Sequence, residues 1–197
     1  TNGWVAAAPI GQINTPIGLA QGYTAQFGIG ATQDLTTYLS GNVNNDNVSV
    51  NLTRQNPGSS KGDGWNLIGN PYPSPIDLDK LPFTSANINK SVSIFIATSM
   101  YNGYYGYYNA MIHMPLNGGT KYLGALNAFF VQCNNLAGGT LIFNNSMRSD
   151  ITNPTLYKSD EEYHFPYIKL EGFNISNTNS FKDEAAICFI DNASQSF

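Results

Sequence analysis

The run Gly64-Trp65-Asn66-Leu67-Ile68-Gly69-Asn70-Pro71-Tyr72-Pro73-Ser74-Pro75-Ile76-Asp77-Leu78 constrains the fold more than any other stretch of this chain. Trp65, Leu67 and Ile68 are strand-type residues, and Gly69-Asn70 breaks the strand. Pro71, Pro73 and Pro75 then fix φ at alternate positions and withhold three backbone donors. Each residue before a proline (Asn70, Tyr72, Ser74) is pushed to an extended conformation. The segment therefore reads as a strand that stops in a rigid corner. It carries no nucleophile, no base and no metal-ligand cluster, so it speaks to architecture before chemistry.

The rest of the chain has the composition of strands and turns. Charged residues are only 11% and aromatics reach 13%, with Tyr and Phe dominant and Gly, Asn and Pro as punctuation. An apolar content of 42% is enough to fill a core, which excludes a disordered chain. At 197 residues the chain is long for one domain and short for two. The net charge of −4 and the scattered basic residues argue against a nucleic-acid partner. No apolar run approaches the ~18–20 residues of a membrane span. Thr1-Asn2-Gly3-Trp4 does not open a signal peptide. Two cysteines, Cys133 and Cys188, are too few for a disulfide scaffold; they are either bonded to each other or buried as small apolar residues.

Strand signals fall at Trp4–Ala8, Gly22–Phe27, Leu35–Ser40, Val48–Thr53, Trp65–Ile68 and Val92–Ala97. Asp77–Leu81 reads as one helical turn capped by Asp77. Asn102-Gly103 predicts a tight hairpin from Val92–Ala97 into Tyr104–Asn109. Ala128–Cys133 and Thr140–Phe143 read as a second hairpin, closed through Asn134-Asn135 and Gly138-Gly139. From Arg148 to Pro166 charge rises and the pattern weakens, as in a linker, and Tyr167–Leu170 and Ala185–Ile190 follow as two further strands. The fold expected is all-β: an antiparallel, jelly-roll-like β-sandwich over residues 1–150 with its proline corner at 70–77, a linker at 151–165, and the start of a second β-unit at 166–197.

Trp65–Asp77 resembles a motif that recurs in large secreted and surface proteins of Bacteroidota exported by the type IX secretion system. Gly22-Tyr23, the Gly41–Asn51 loop and strand, the aromatic Tyr104–Asn109 strand, Phe129-Phe130-Val131, Ile168-Lys169-Leu170 and Asp183-Glu184-Ala185 look like further landmarks of that family, so the resemblance covers most of the chain. It implies a non-catalytic β-rich module shortly before a C-terminal sorting domain, in an extracellular or cell-surface protein. Two departures stand out. Ala125-Leu126-Asn127-Ala128 replaces the family's Pro and Gln-Gly pair, and the chain stops at Ser196-Phe197 where relatives continue, as a fragment of a longer protein would.

Catalytic chemistry finds little support. Neither His113 nor His164 stands in a recognisable nucleophile motif, and they read as one strand histidine and one linker histidine. Asp77 with Asp79, and Asp183 with Glu184, are carboxylate pairs of the kind glycoside hydrolysis uses, and a cap and a strand start explain them more simply. Asn42, Asn44, Asn45, Asp46 and Asn47 offer oxygens to calcium but one full charge, so an Asn-rich turn is the better reading. Asp160, Glu161 and Glu162 read as a solvated loop. Trp65 reads as core.

The best binding candidate is the tyrosine cluster Tyr101, Tyr104, Tyr105, Tyr107 and Tyr108. Alternation sends Tyr105 and Tyr107 to one face and Tyr104 and Tyr108 to the other. One face enters the core, and the other offers rigid aromatic area to a sugar or a protein. Cross-strand pairing that only stabilises the sheet is the plainer alternative. The expected function is a structural or adhesive module without cofactor, metal or catalysis. Two other readings are a carbohydrate-binding module using the Tyr101–Tyr108 hairpin, and a self-assembling subunit whose strands complete the sheets of a neighbouring copy.

Overall fold

The computed structural model describes residues 16–24, 40–55, 64–83, 87–98, 103–151, 166–173 and 182–190. Eleven strands form among them: β1 (Val48–Leu52), β2 (Trp65–Gly69), β3 (Ile76–Asp77), β4 (Ile88–Ala97), β5 (Gly103–Asn109), β6 (Met114–Leu116), β7 (Tyr122–Leu123), β8 (Ala128–Cys133), β9 (Gly139–Phe143), β10 (Tyr167–Phe173) and β11 (Lys182–Cys188). Two single 3-10 turns, Leu78–Lys80 and Asn145–Met147, are the helical elements of these residues. The fold is all-β and every sheet is antiparallel. No helix among the described residues is long and apolar enough to cross a membrane. The strand signals at Trp4–Ala8 and Leu35–Ser40, the end of Gly22–Phe27, the tip of the β4–β5 hairpin and the linker lie outside the described residues.

The main sheet has five strands in the order β2-β8-β4-β5-β6. Its inner face carries Ile68, Val92, Ile94, Tyr108, Phe129, Val131 and Cys133, all buried. A two-stranded sheet, β1 with β9, stacks over that face and adds Val48, Leu52, Leu141 and Phe143 to the same core. Phe129 and Phe143 meet edge to face across the layers, with ring centroids 6.5 Å apart.

The predicted second hairpin does not form. Ala128–Cys133 and Gly139–Phe143 are strands, but they belong to different sheets. Both edges of β8 are already taken, by β2 and by β4, so β9 pairs with β1 instead. The intervening turn works as a crossover between layers: Asn134 N donates to Asn87 O, and Gly138 takes a φ of 78°.

The proline corner is built as the sequence requires, and its keystone is Asn70. This residue is 8% exposed. Its Nδ2 donates to Ser74 O at 2.9 Å and Gly124 O at 3.0 Å, and its Oδ1 accepts from Tyr72 N at 3.0 Å. Its backbone N donates to Asn127 O at 2.9 Å. One amide thus ties the corner to itself and to the loop before β8. Beyond the corner, β3 pairs with β7, and Asp77 caps the first 3-10 turn by accepting from Asp79 N at 3.1 Å. The Asn-rich loop folds onto the same corner: Asn44 Nδ2 donates to Pro71 O, Tyr72 OH donates to Asp46 O, and Arg148 Nη1 donates to Asn45 Oδ1. Asn44 and Asn45 fasten the corner through their side chains, and Asp46 through its backbone carbonyl.

β10 and β11 make a separate two-stranded sheet. It reaches the main sheet at β6, where Glu184 Oε2 accepts from Asn117 N at 3.0 Å and Cys188 Sγ lies 3.4 Å from Met114 Sδ. Cys133 is buried on the other face, with its thiol 3.3 Å from Asn135 O. The two cysteines are free thiols set in different places, so the bond weighed for them is not formed here.

Candidate functional site

The outer face of the main sheet follows from the parity of its inner face. Ile68, Val131, Val92 and Tyr108 point inward, so their neighbours point out. In register, one outer row across the five strands runs Leu67, Phe130, Ser93, Tyr107, Leu116. In the adjacent row Phe95 stands opposite Tyr105. Phe95 is 50% exposed, Tyr105 41% and Tyr107 39%, and Phe130 is half-buried. Tyr105 links the two rows: its ring meets Phe95 edge to face at 5.3 Å and Phe130 at 5.8 Å. Asn117, at a φ of 49°, donates from Nδ2 to Tyr105 O at 2.8 Å and holds this part of β5 from the side.

The alternation read from the sequence holds for β5. Tyr105 and Tyr107 face solvent, Tyr108 is fully buried and Tyr104 is partly covered on the inner face. Tyr101 lies outside the described residues. Only Tyr105 and Tyr107 of the expected cluster therefore share the outer surface among the described residues. Phe95 and Phe130, which join them there, come from β4 and β8 and are invisible to a reading confined to one hairpin. A continuous apolar run such as Ile94–Ala97 gives no parity by itself, and the signal for Phe95 appears only once Tyr108 fixes the register.

Trp65 is corrected from core to surface. It is 43% exposed, opposite Gln132 at the edge of the same outer face. The inward parity of β2 is set by Ile68, and Trp65 lies three residues from it, on the opposite face. The inward position falls to Asn66, whose side chain closes the gap to β1 by accepting from Thr53 N and donating to Thr53 O.

A second cluster gathers on the opposite side. Asp79 Oδ1 accepts from the buried Tyr108 hydroxyl and lies 2.7 Å from His113 Nδ1, while Lys121 Nζ stands 3.8 Å from Asp79 Oδ2. His113 sits in the β5–β6 turn at a φ of 54°, not in a strand as its sequence context implied. The carboxylate that joined Asp77 in the sequence reading is thus the hub of a polar clasp between the 3-10 turn and β5. No serine, threonine or cysteine hydroxyl or thiol adjoins the pair in the described hydrogen bonds, and no three of His, Cys, Asp or Glu gather as a metal set among the described residues. His164 and Asp160 to Glu162 lie outside them. Glu184 is engaged with Asn117 and with Lys169, whose Nζ lies 3.0 Å away.

One open groove of about 570 Å³ lies at the far end of β1 and β9, lined by Asn51, Arg54, Asn87, Leu136 and Thr140. It includes none of the residues singled out by the sequence.

No curated protein and no solved structure matches the chain. One family model matches residues 4–197, and its description is "Domain of unknown function (DUF8693)".

Proposed function

We propose that this chain, which belongs to the family described as a domain of unknown function (DUF8693), is a non-catalytic adhesive module of an exported bacterial surface or extracellular protein. The observation that carries the reading is the outer face where Phe95, Tyr105, Tyr107 and Phe130 stand together on three neighbouring strands, β8, β4 and β5. Single exposed apolar side chains are ordinary, whereas grouped aromatics on a regular sheet make a contact surface. The rings of Phe95, Tyr105 and Phe130 are already fixed by edge-to-face packing, so little of their side-chain entropy is lost when a partner covers them. Export rests on the resemblance of Trp65–Asp77 and its companion landmarks to type IX-secreted proteins.

The exposed pair Tyr105 and Tyr107 on one face of β5 favours carbohydrate as a second reading. A sugar ring stacks on such rigid aromatic area.

The test is retention of the purified chain on chitin, cellulose, xylan and immobilised mucin. Retention on at least one surface is expected, with loss in Tyr105→Ala and Tyr107→Ala while the circular dichroism spectrum is unchanged. Equal retention by the variants removes the aromatic face from the account. Hydrolysis of one of these polymers that Asp77→Asn or His113→Ala abolishes would make the protein an enzyme instead.

A further inference from the structure

Met114 is 1% exposed yet lies outside the core shared by the two layers. It stands opposite Asn109, two residues along from the Tyr107–Leu116 pair, and so on the outer parity of the main sheet. The β10–β11 hairpin reaches it there, with Cys188 Sγ 3.4 Å from Met114 Sδ. Just past the other end of β6, Asn117 N donates to Glu184 Oε2 at 3.0 Å. β11 thus runs back along β6, which is itself paired with β5, the strand of Tyr105 and Tyr107.

Asn117 engages both neighbours at once. Its backbone N meets Glu184, and its side-chain Nδ2 donates to Tyr105 O at 2.8 Å. Its φ of 49° lies in the left-handed region, which asparagine tolerates better than most residues. The Glu184 side chain is 8% exposed, and its Oε1 lies 3.0 Å from Lys169 Nζ. Burial alone would make the Lys169 ammonium easier to deprotonate, but its bonds to Glu184 and Glu171 prevail and hold its pKa above the usual value. A carboxylate covered to this degree is costly to strip of a donor, so Glu184 binds the hairpin to the backbone at position 117.

We propose that Asn117 is a positioning residue that couples the β10–β11 hairpin to the outer aromatic face. With Glu184 docked on its amide, its side chain sets the place of Tyr105, and through Tyr105 the rings of Phe95 and Phe130 that pack against it. The hairpin is then part of the support of that face rather than an independent unit. Coupling of this kind is reciprocal, so whatever fixes Tyr105 also steadies the docked hairpin. The consequence for ligand binding rests on the proposed function; the coupling itself does not.

Nuclear magnetic resonance of the full chain tests the coupling without a ligand, in the parent, Glu184→Ala, Asn117→Gly and the double variant. Asn117→Gly keeps the backbone donor and the positive φ and removes the bond to Tyr105 O. In Glu184→Ala, hydrogen exchange of the Asn117 amide should quicken by about tenfold or more, the scale of one hydrogen bond to a charged acceptor. The ring signals of Phe95, Tyr105 and Phe130 should shift with it. In the Asn117→Gly background, Glu184→Ala should leave those ring signals in place, because the link is already cut. Glu184→Gln, which keeps an acceptor for the amide, should return both readouts toward the parent. An Asn117 amide that stays protected in Glu184→Ala overturns the inference. So do rings that stay put once the amide is freed, or ring shifts of equal size with and without the Asn117 side chain. On whichever of chitin, cellulose, xylan or mucin retains the parent, Glu184→Ala should bind about fivefold or more weakly, the lower end of ordinary coupling between two sites. A parent that none of them retains removes the proposed function, while the ring signals still decide the coupling.

Discussion

At the scale of single residues, the stability of the corner is concentrated in Asn70. Its amide donates to carbonyl oxygens and its own oxygen receives the Tyr72 amide, so both halves of the group are used. Asn70→Asp keeps the shape and removes the donors, leaving a carboxylate against the carbonyls of Ser74 and Gly124. The expected loss is about 3 kcal/mol or more, because a buried charge without donors costs more than the 1–3 kcal/mol of a neutral unsatisfied group. Urea titration of the two proteins measures it. Tyr72, next in the chain, predicts an alkaline limb. Burial pushes its phenol above the ordinary value near 10, with Arg148 pulling it down and Asp46 pushing it further up. The folded protein thus holds the Tyr72 proton more tightly than the unfolded chain. The stability this represents is intact below pH ~10 and is lost as pH rises through the folded value. Tyr72→Phe should flatten the fall in melting temperature between about pH 9.5 and 11, and an unchanged slope would count against it.

At the scale of elements, legibility tracked how local the determining physics is. The corner was legible because proline geometry is covalent and needs no partner. The cap at Asp77 and the alternation of β5 were legible for the same reason: each depends on a few neighbouring residues. The misread strand pairing and the misplaced Trp65 are cases where a distant partner decides. β8 and β9 carry hairpin punctuation, but β2 and β4 claim both edges of β8 first. Trp65 carries a core residue's side chain, but the parity of β2 is set by Ile68 packing beneath it. The site suffered likewise, since Tyr105 was readable from its own hairpin while Phe95 and Phe130 join it only through registers across three strands. One glycine also belongs to this scale. Gly64, at a φ of 85°, starts β2 by accepting from Cys133 N at 2.7 Å, and a Cβ there would fall 2.1 Å from Cys133 O. Gly64→Ala should therefore unseat the β2–β8 pairing at its first rung. The expected cost exceeds the ~1 kcal/mol of an ordinary glycine replacement, and thermal unfolding with hydrogen exchange at Asn66 to Ile68 reports it.

At the scale of the molecule, the sandwich divides its labour by face. The inner face of the main sheet and the β1–β9 pair hold a single core, and the corner with the Asn-rich loop closes one end of it. Under the proposed function the outer face is the contact surface, with its aromatic rows anchored by the buried parity beneath. The corner is a stability element and the outer aromatic face the proposed binding element, and their separation is directly measurable. Binding isotherms by depletion, on whichever of chitin, cellulose, xylan or mucin retains the chain, are compared with melting temperatures for three proteins: the parent, the Tyr105→Ala/Tyr107→Ala double variant, and Pro71→Ala. The double variant should lose about tenfold or more in affinity, as truncated aromatic anchors do, with its melting temperature within a few degrees of the parent's. Pro71→Ala should melt lower and bind as the parent does wherever it is folded. A double variant that binds normally, or a Pro71→Ala protein that is fully folded yet fails to bind, would contradict the account.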